Sequence, residues 1–167
     1  PAAPVERPLL RPDPAPAADD ALPAPLTNNP AAPQQDLADT PDWTSHEADD
    51  VRDMALGDFD LDGDLDLATA ASDAPVRVFV NDGGTLPVNA TWTAPYTETA
   101  YAIAWADANG DGYLDLAVGN DGANRLYVYS PTLGSLVFAW AAAEVEATRS
   151  LAWGDWTGNG RPDLAVG

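Results

Sequence analysis

The stretch Asp58-Phe59-Asp60-Leu61-Asp62-Gly63-Asp64-Leu65-Asp66 decides how this chain is read. Side-chain oxygens fall at positions 1, 3, 5 and 9 of a nine-residue loop, with glycine at position 6. Carboxylates two residues apart turn into one concavity when such a loop curls, and Ca²⁺ takes about six to eight oxygens at roughly 2.3–2.6 Å. Position 6 asks for a backbone turn that a Cβ obstructs, so glycine suits it. Position 7 offers its carbonyl, which leaves the Asp64 carboxylate free to point outward. Without a cation, four inward carboxylates repel one another. The pattern predicts a loop clasped around a hard divalent ion.

The pattern recurs. Asp107-Ala108-Asn109-Gly110-Asp111-Gly112-Tyr113-Leu114-Asp115 places Asn109 at position 3. Asp155-Trp156-Thr157-Gly158-Asn159-Gly160-Arg161-Pro162-Asp163 has Thr157 and Asn159 as neutral donors. The loops start 49 and then 48 residues apart, at Asp58, Asp107 and Asp155. A fixed period of that length marks repeated supersecondary units, each unable to bury its apolar face alone.

Around each loop the same short runs appear. In the first repeat they are Val51–Gly57, Leu65–Ala70, Pro75–Val80 and Leu86–Thr93, with Asn81-Asp82-Gly83-Gly84 as turn chemistry before the last. In the second they are Ala100–Ala106, Leu114–Gly119, Arg125–Tyr129 and Leu136–Ala142. The third supplies Ser150–Gly154 and Pro162–Gly167. Runs this short, bounded by Gly, Asn, Asp and Pro and rich in Val, Leu, Tyr and Trp, predict antiparallel strands, four to a repeat. The alanine-rich Ala141–Ala147 is the best helix candidate, but it lies where a fourth strand should end and is read as strand or loop.

Composition narrows the function. The 167-residue chain carries 27 acidic against seven basic residues, a formal charge of −20, which argues against nucleic acid and anionic membranes as partners. It suits a protein that takes up divalent cations. With no cysteine, the chain has neither disulfides nor thiolate metal sites. No apolar stretch approaches the roughly 18 residues of a membrane helix. Calcium loops of modest affinity fill where calcium is near millimolar, which favours an extracellular setting. Pro1 in place of Met is expected of a processed protein or a piece of a longer one.

Residues 1–42 form a different regime, with eleven of the sixteen prolines and no aromatic residue. Such a stretch buries too little to offset its ordering entropy and reads as a semi-extended linker. Segments of this kind dock on other molecules as an added strand or polyproline helix. Part of 1–42 is accordingly expected to act as an assembly arm.

The block Asp58 to Leu67 followed by Ala68-Thr69 resembles the FG-GAP/VCBS repeat, the blade unit of integrin-alpha-like β-propellers and of many secreted bacterial proteins. Ala106-Asp107 with Leu114 to Gly119, and Gly154-Asp155 with Pro162 to Gly167, match the same template. The resemblance implies an all-β fold of two to three four-stranded antiparallel blades, an incomplete propeller, following an extended Pro/Ala-rich arm. The arm is expected over residues 1–45 and the repeats over about 46–96, 97–145 and, in part, 146–167. It also implies Ca²⁺ ligands. These would be Asp58, Asp60, Asp62, Asp64 by its carbonyl and Asp66 in the first loop. In the second they would be Asp107, Asn109, Asp111, Tyr113 by its carbonyl and Asp115, and in the third Asp155, Thr157, Asn159, Arg161 by its carbonyl and Asp163. Two ions are expected. The third loop, with two carboxylates and Arg161 beside the ion, should bind most weakly. EF-hand and dockerin readings fit less well, since Thr69, Val118 and Val166 stand where an EF-hand has a bidentate Glu and strand-like sequence flanks the loops.

No Ser-centred elbow, Cys, second His or phosphate-cradling loop is present, so the chain is read as non-catalytic. His46 reads as a solvated side chain, and Trp92, Trp105, Trp140 and Trp153 as packing between blades, with Trp156 exposed. Asn89-Ala90-Thr91 is a glycan acceptor by pattern, and Thr27, Thr40 and Ser45 are possible O-linked positions. The expected function is a calcium-stabilised extracellular repeat protein that assembles with copies of itself, as a filament or surface scaffold, through the arm. The alternative is an adhesion or ligand-binding module belonging to a larger secreted protein.

Overall fold

A computed structural model describes residues 41–167, so nearly all of the expected arm lies outside the described residues. The first repeat forms β1 (Asp50–Gly57), β2 (Asp66–Ser72), β3 (Arg77–Phe79) and β4 (Trp92–Thr93), an antiparallel sheet in that order. The second forms β5 (Ala100–Ala106), β6 (Asp115–Asn120), β7 (Arg125–Ser130) and β8 (Ser135–Ala141) in the same order. The third contributes the hairpin of β9 (Leu151–Gly154) and β10 (Asp163–Val166). No helix occurs among the described residues. The alanine-rich 141–147 leaves β8 as loop, tied back by Ala142 N donating to Asn124 O at 2.8 Å and by a bridge between Ala147 and Asp121. The fold is all-β, built of blade-like sheets, as the sequence predicts.

One strand differs from expectation. Of the run Leu86–Thr93 only Trp92 and Thr93 pair with β3. Pro87 has no N–H to give a ladder, and residues 43–47 occupy the backbone of this stretch instead. The Trp43 indole donates to Pro87 O at 3.2 Å, His46 N donates to Val88 O at 2.8 Å, and Ala90 N donates to Glu47 Oε1 at 2.9 Å. Trp43 also meets Phe79 edge to face at 5.1 Å. A neighbouring segment satisfies the polar backbone that a longer β4 would have satisfied. His46 and Asn89 are both exposed, as their sequence context suggested.

The central strands β2 and β6 are buried along nearly their whole length. Each has a strand on either side and an adjoining sheet across its face. That explains why their sequences, Leu67 to Ala71 and Leu116 to Gly119, lack the polar alternation of a half-exposed strand. The shared core includes Phe59, Val78, Ile103, Leu116, Val118, Tyr127 and Leu136. Each such side chain contributes roughly 1.5–3 kcal/mol by leaving water.

The contact between units repeats with the sequence period. The Trp105 indole donates to Ala55 O at 3.3 Å, and the Trp153 indole donates to Ala104 O at 3.2 Å. Gly57 lets this happen: a Cβ there would lie 2.8 Å from Leu114 Cδ1 and 2.9 Å from Trp105 Cδ1. Trp92 likewise spans units, donating to Leu136 O at 3.0 Å and meeting Tyr127 edge to face at 5.2 Å. These tryptophans are structural.

Candidate metal centre

All three acidic stretches form loops between the first two strands of their units. A ladder of side-chain acceptors curls each one. The position 1 carboxylate accepts the position 6 amide: Gly63 N to Asp58 Oδ2 at 3.1 Å, Gly112 N to Asp107 Oδ2 at 2.9 Å, Gly160 N to Asp155 Oδ2 at 2.8 Å. Position 5 accepts the position 7 amide in each loop, through Asp62, Asp111 and Asn159 at 2.8, 2.9 and 2.8 Å. The position 3 to position 5 bond forms from Asp60 and Asn109. Thr157 does not make it: the Asn159 amide goes to Asp155 Oδ1 at 3.0 Å, and the Thr157 hydroxyl donates to the same oxygen at 3.5 Å.

The glycine at position 6 has φ of +97° at Gly63, +89° at Gly112 and +81° at Gly160, the left-handed region that a Cβ penalises. Position 4 has the same requirement, missed in the sequence reading. Gly110 and Gly158 meet it, while Leu61 holds φ +65° in the first loop. The signal was there to find, in glycine standing at position 4 of two loops.

Position 9 does more than close the loop. Asp66 and Asp115 are fully buried, with 0% exposure. Asp66 Oδ2 accepts from Phe59 N at 2.9 Å and its Oδ1 from Asn81 N at 2.8 Å. Asp115 accepts from Ala108 N at 3.0 Å and Tyr129 N at 2.9 Å. One carboxylate thus ties the loop's start to the end of the third strand. Burial raises the Asp115 pKa above the ordinary carboxylate value, against the pull of these amides. Among the described residues Asp163 holds only Thr157 N, at 3.2 Å. Asp64 has a role the sequence did not suggest: its carboxylate accepts from Gly83 N at 2.9 Å, pinning the turn beyond β3 to the loop.

The loops differ in how their acids converge. Among the described residues only the first brings three together, with oxygens of Asp58, Asp60 and Asp66 within 4.8 Å of one another. Asp62 stands outside that trio. Asp58 Oδ1 is buried and has no hydrogen-bond partner among the described residues. Burial lifts the Asp60 pKa, and the neighbouring Asp66, Asp62 and Asp58 push it further, against the Asp62 amide that lowers it. In the other loops the position 1 carboxylate is taken by amides at both oxygens: Asp107 by Gly110, Asp111 and Gly112, Asp155 by Asn159 and Gly160. The amide of Gly160, foremost among these donors, lowers the Asp155 pKa. A carboxylate oxygen that is buried and unpartnered among the described residues, in a loop where three carboxylates converge, fits a hard cation. The first loop has that chemistry.

Two overlapping segments, residues 58–118 and 107–166, match the model of the FG-GAP-like repeat, and together they cover well over half of the chain. The chain belongs to the FG-GAP-like repeat family. Each match opens on an acidic loop and runs through the second strand of the following unit, so the family's period is the period of these sheets. Among curated proteins, none matches this chain. FG-GAP repeats form β-propeller-like modules that are typically extracellular and generally non-enzymatic. No helix among the described residues is long and apolar enough to cross a membrane.

Proposed function

We propose that this FG-GAP repeat chain is a non-catalytic extracellular module stiffened by Ca²⁺ at its first loop. The observation that carries the reading is Asp58 Oδ1, buried and unpartnered among the described residues, in the loop where Asp58, Asp60 and Asp66 converge. Ca²⁺ would be held there by Asp58, Asp60 and Asp66, with Asp62 and the Asp64 carbonyl as the remaining candidates in that loop. When bound, the ion supplies charge compensation for carboxylates that otherwise repel. The second loop (Asp107, Asn109, Asp111, Tyr113 carbonyl, Asp115) would bind more weakly, its position 1 oxygens being already hydrogen-bonded. The third (Asp155, Thr157, Asn159, Arg161 carbonyl, Asp163) would bind weakest.

Metal that binds the folded loop alone stabilises by mass action, about 2.7 kcal/mol at a hundredfold excess over Kd. Thermal unfolding in millimolar calcium and in EGTA tests this. The melting temperature should fall in EGTA for the parent chain, and Asp58→Asn should shrink the difference to what the weaker second and third loops supply. Asp62→Ala should shrink the calcium response more than Asp64→Ala, whose carboxylate faces Gly83. A parent chain that melts identically in both buffers would refute the proposal.

In this reading the module serves a scaffold, with copies associating through residues 1–45. Sedimentation of the intact chain against one starting at residue 41 should show association lost with the arm. If the intact chain is a monomer at all concentrations, self-assembly is wrong. The adhesion-module reading has one observation in its favour: Trp156, on the third loop, is 62% exposed.

A further inference from the structure

The first loop reaches beyond its own sheet. Phe59 stands between Asp58 and Asp60, and its amide donates to Asp66 Oδ2 at 2.9 Å, so all three converging acids bear on its position. Its ring is buried in the second unit, stacked on Trp105 at 5.9 Å and edge to face with Tyr129 at 5.3 Å. Tyr129 in turn holds the second loop at two points. Its amide donates to Asp115 Oδ1, the position 9 carboxylate, at 2.9 Å. Its ring stacks on Tyr113, the position 7 residue, at 4.6 Å with 19° between the planes. Two candidate ligand positions of the second loop therefore rest on one side chain, and that side chain rests on Phe59.

This aromatic path is not a property of the repeat. The β2–β3 register sets Leu67 opposite Phe79, and the β6–β7 register sets Leu116 opposite Tyr127. Two residues further on stand Asn81 and Tyr129, and both amides reach the position 9 carboxylate of their unit. The first unit thus has an amide side chain where the second has a ring. Position 2 of the second loop is Ala108, whose methyl offers no wedge like Phe59 toward the third unit. The path joins the first loop to the second and stops there.

We propose that occupancy of the first loop governs the order of the second, through Phe59, Tyr129 and Tyr113. The proposal rests on the calcium reading of the first loop. With that loop empty, Asp58, Asp60 and Asp66 repel one another, and Phe59 between them is held less firmly. With their charge compensated, the loop closes, Phe59 fixes Tyr129, and Tyr129 fixes Tyr113 and Asp115. Ordering completed at the first loop is then not required again at the second, which couples the two positively without a large movement. The coupling runs through packed side chains that both loops touch.

Hydrogen exchange of the 167-residue chain, read by mass spectrometry in EGTA and in calcium, tests this. The calcium level is the lowest that saturates the slowing of segment 58–66. In the parent, segment 107–115 should slow with it, by about fivefold or more, the lower end of ordinary coupling between sites. Asp58→Asn should remove both effects. Tyr113→Ala keeps the position 7 carbonyl and should remove the slowing at 107–115 while leaving it at 58–66. Tyr113→Phe keeps the ring and should restore it. Melting in EGTA checks that each variant is folded, and Asp58→Asn, which leaves every ring in place, carries the test should Tyr113→Ala unfold. No slowing at 58–66 refutes the calcium reading and the coupling with it. Slowing at 58–66 with 107–115 unchanged refutes the coupling alone, as does slowing at 107–115 that survives Asp58→Asn or Tyr113→Ala. Equal Asp58-dependent slowing at 155–163 also overturns it, since that is general stabilisation of the fold.

Discussion

Phe59→Ala should destabilise the described body by about 3–5 kcal/mol, the range for emptying a buried aromatic site. Phe59 is 3% exposed although it sits in a loop. It stacks on Trp105 at 5.9 Å and meets Tyr129 edge to face at 5.3 Å, both from the second unit. The substitution therefore removes a wedge between units and leaves the loop carboxylates in place. Trp156→Ala, at the same loop position of the third unit, should change stability by no more than about 0.5 kcal/mol, since its side chain is solvated. Urea unfolding of the two variants beside the parent provides the measurement. Similar losses at both positions would contradict the assignment of Phe59 to an inter-unit core.

Asp66→Ala is the second large effect, and it should appear in EGTA as well as in calcium. The side chain is fully buried and accepts from Phe59 N and Asn81 N. Alanine leaves both amides without a partner, at a cost of about 1–3 kcal/mol each. Asp66→Asn keeps one acceptor and should recover part of the loss. Asp64→Ala breaks one exposed bond, to Gly83, and should cost about 0.5–1.5 kcal/mol. Thermal unfolding in EGTA separates this structural part from any metal contribution. If Asp66→Ala is harmless without calcium, position 9 is a ligand only, and the tie between loop and third strand carries no weight.

Much of this was legible in the residues alone. Asp58, Gly63 and Asp66 announce the first loop because side-chain acceptors and a left-handed glycine act within a few residues of one another. The flanking strands follow from short apolar runs between turn residues, and the period follows from counting. These are local properties, and local chemistry determines them.

Tertiary structure decided what depends on a neighbour. Phe59 and Trp156 occupy the same loop position, yet one is core and the other solvated, because among the described residues only the first has an adjoining sheet to enter. Asp58 and Asp107 read alike, but among the described residues only Asp58 keeps a buried oxygen without a donor, since amides claim both oxygens of Asp107. The pairs Asp49 with Arg77 and Glu98 with Arg125 lie about one half-period apart and escaped the sequence reading, although their spacing repeats. Segment 43–47 displaced the long fourth strand by satisfying its backbone from outside the repeat. Burial and hydrogen-bond partnership across 30 to 50 residues are set by which sheets meet, and no short window of sequence contains that information.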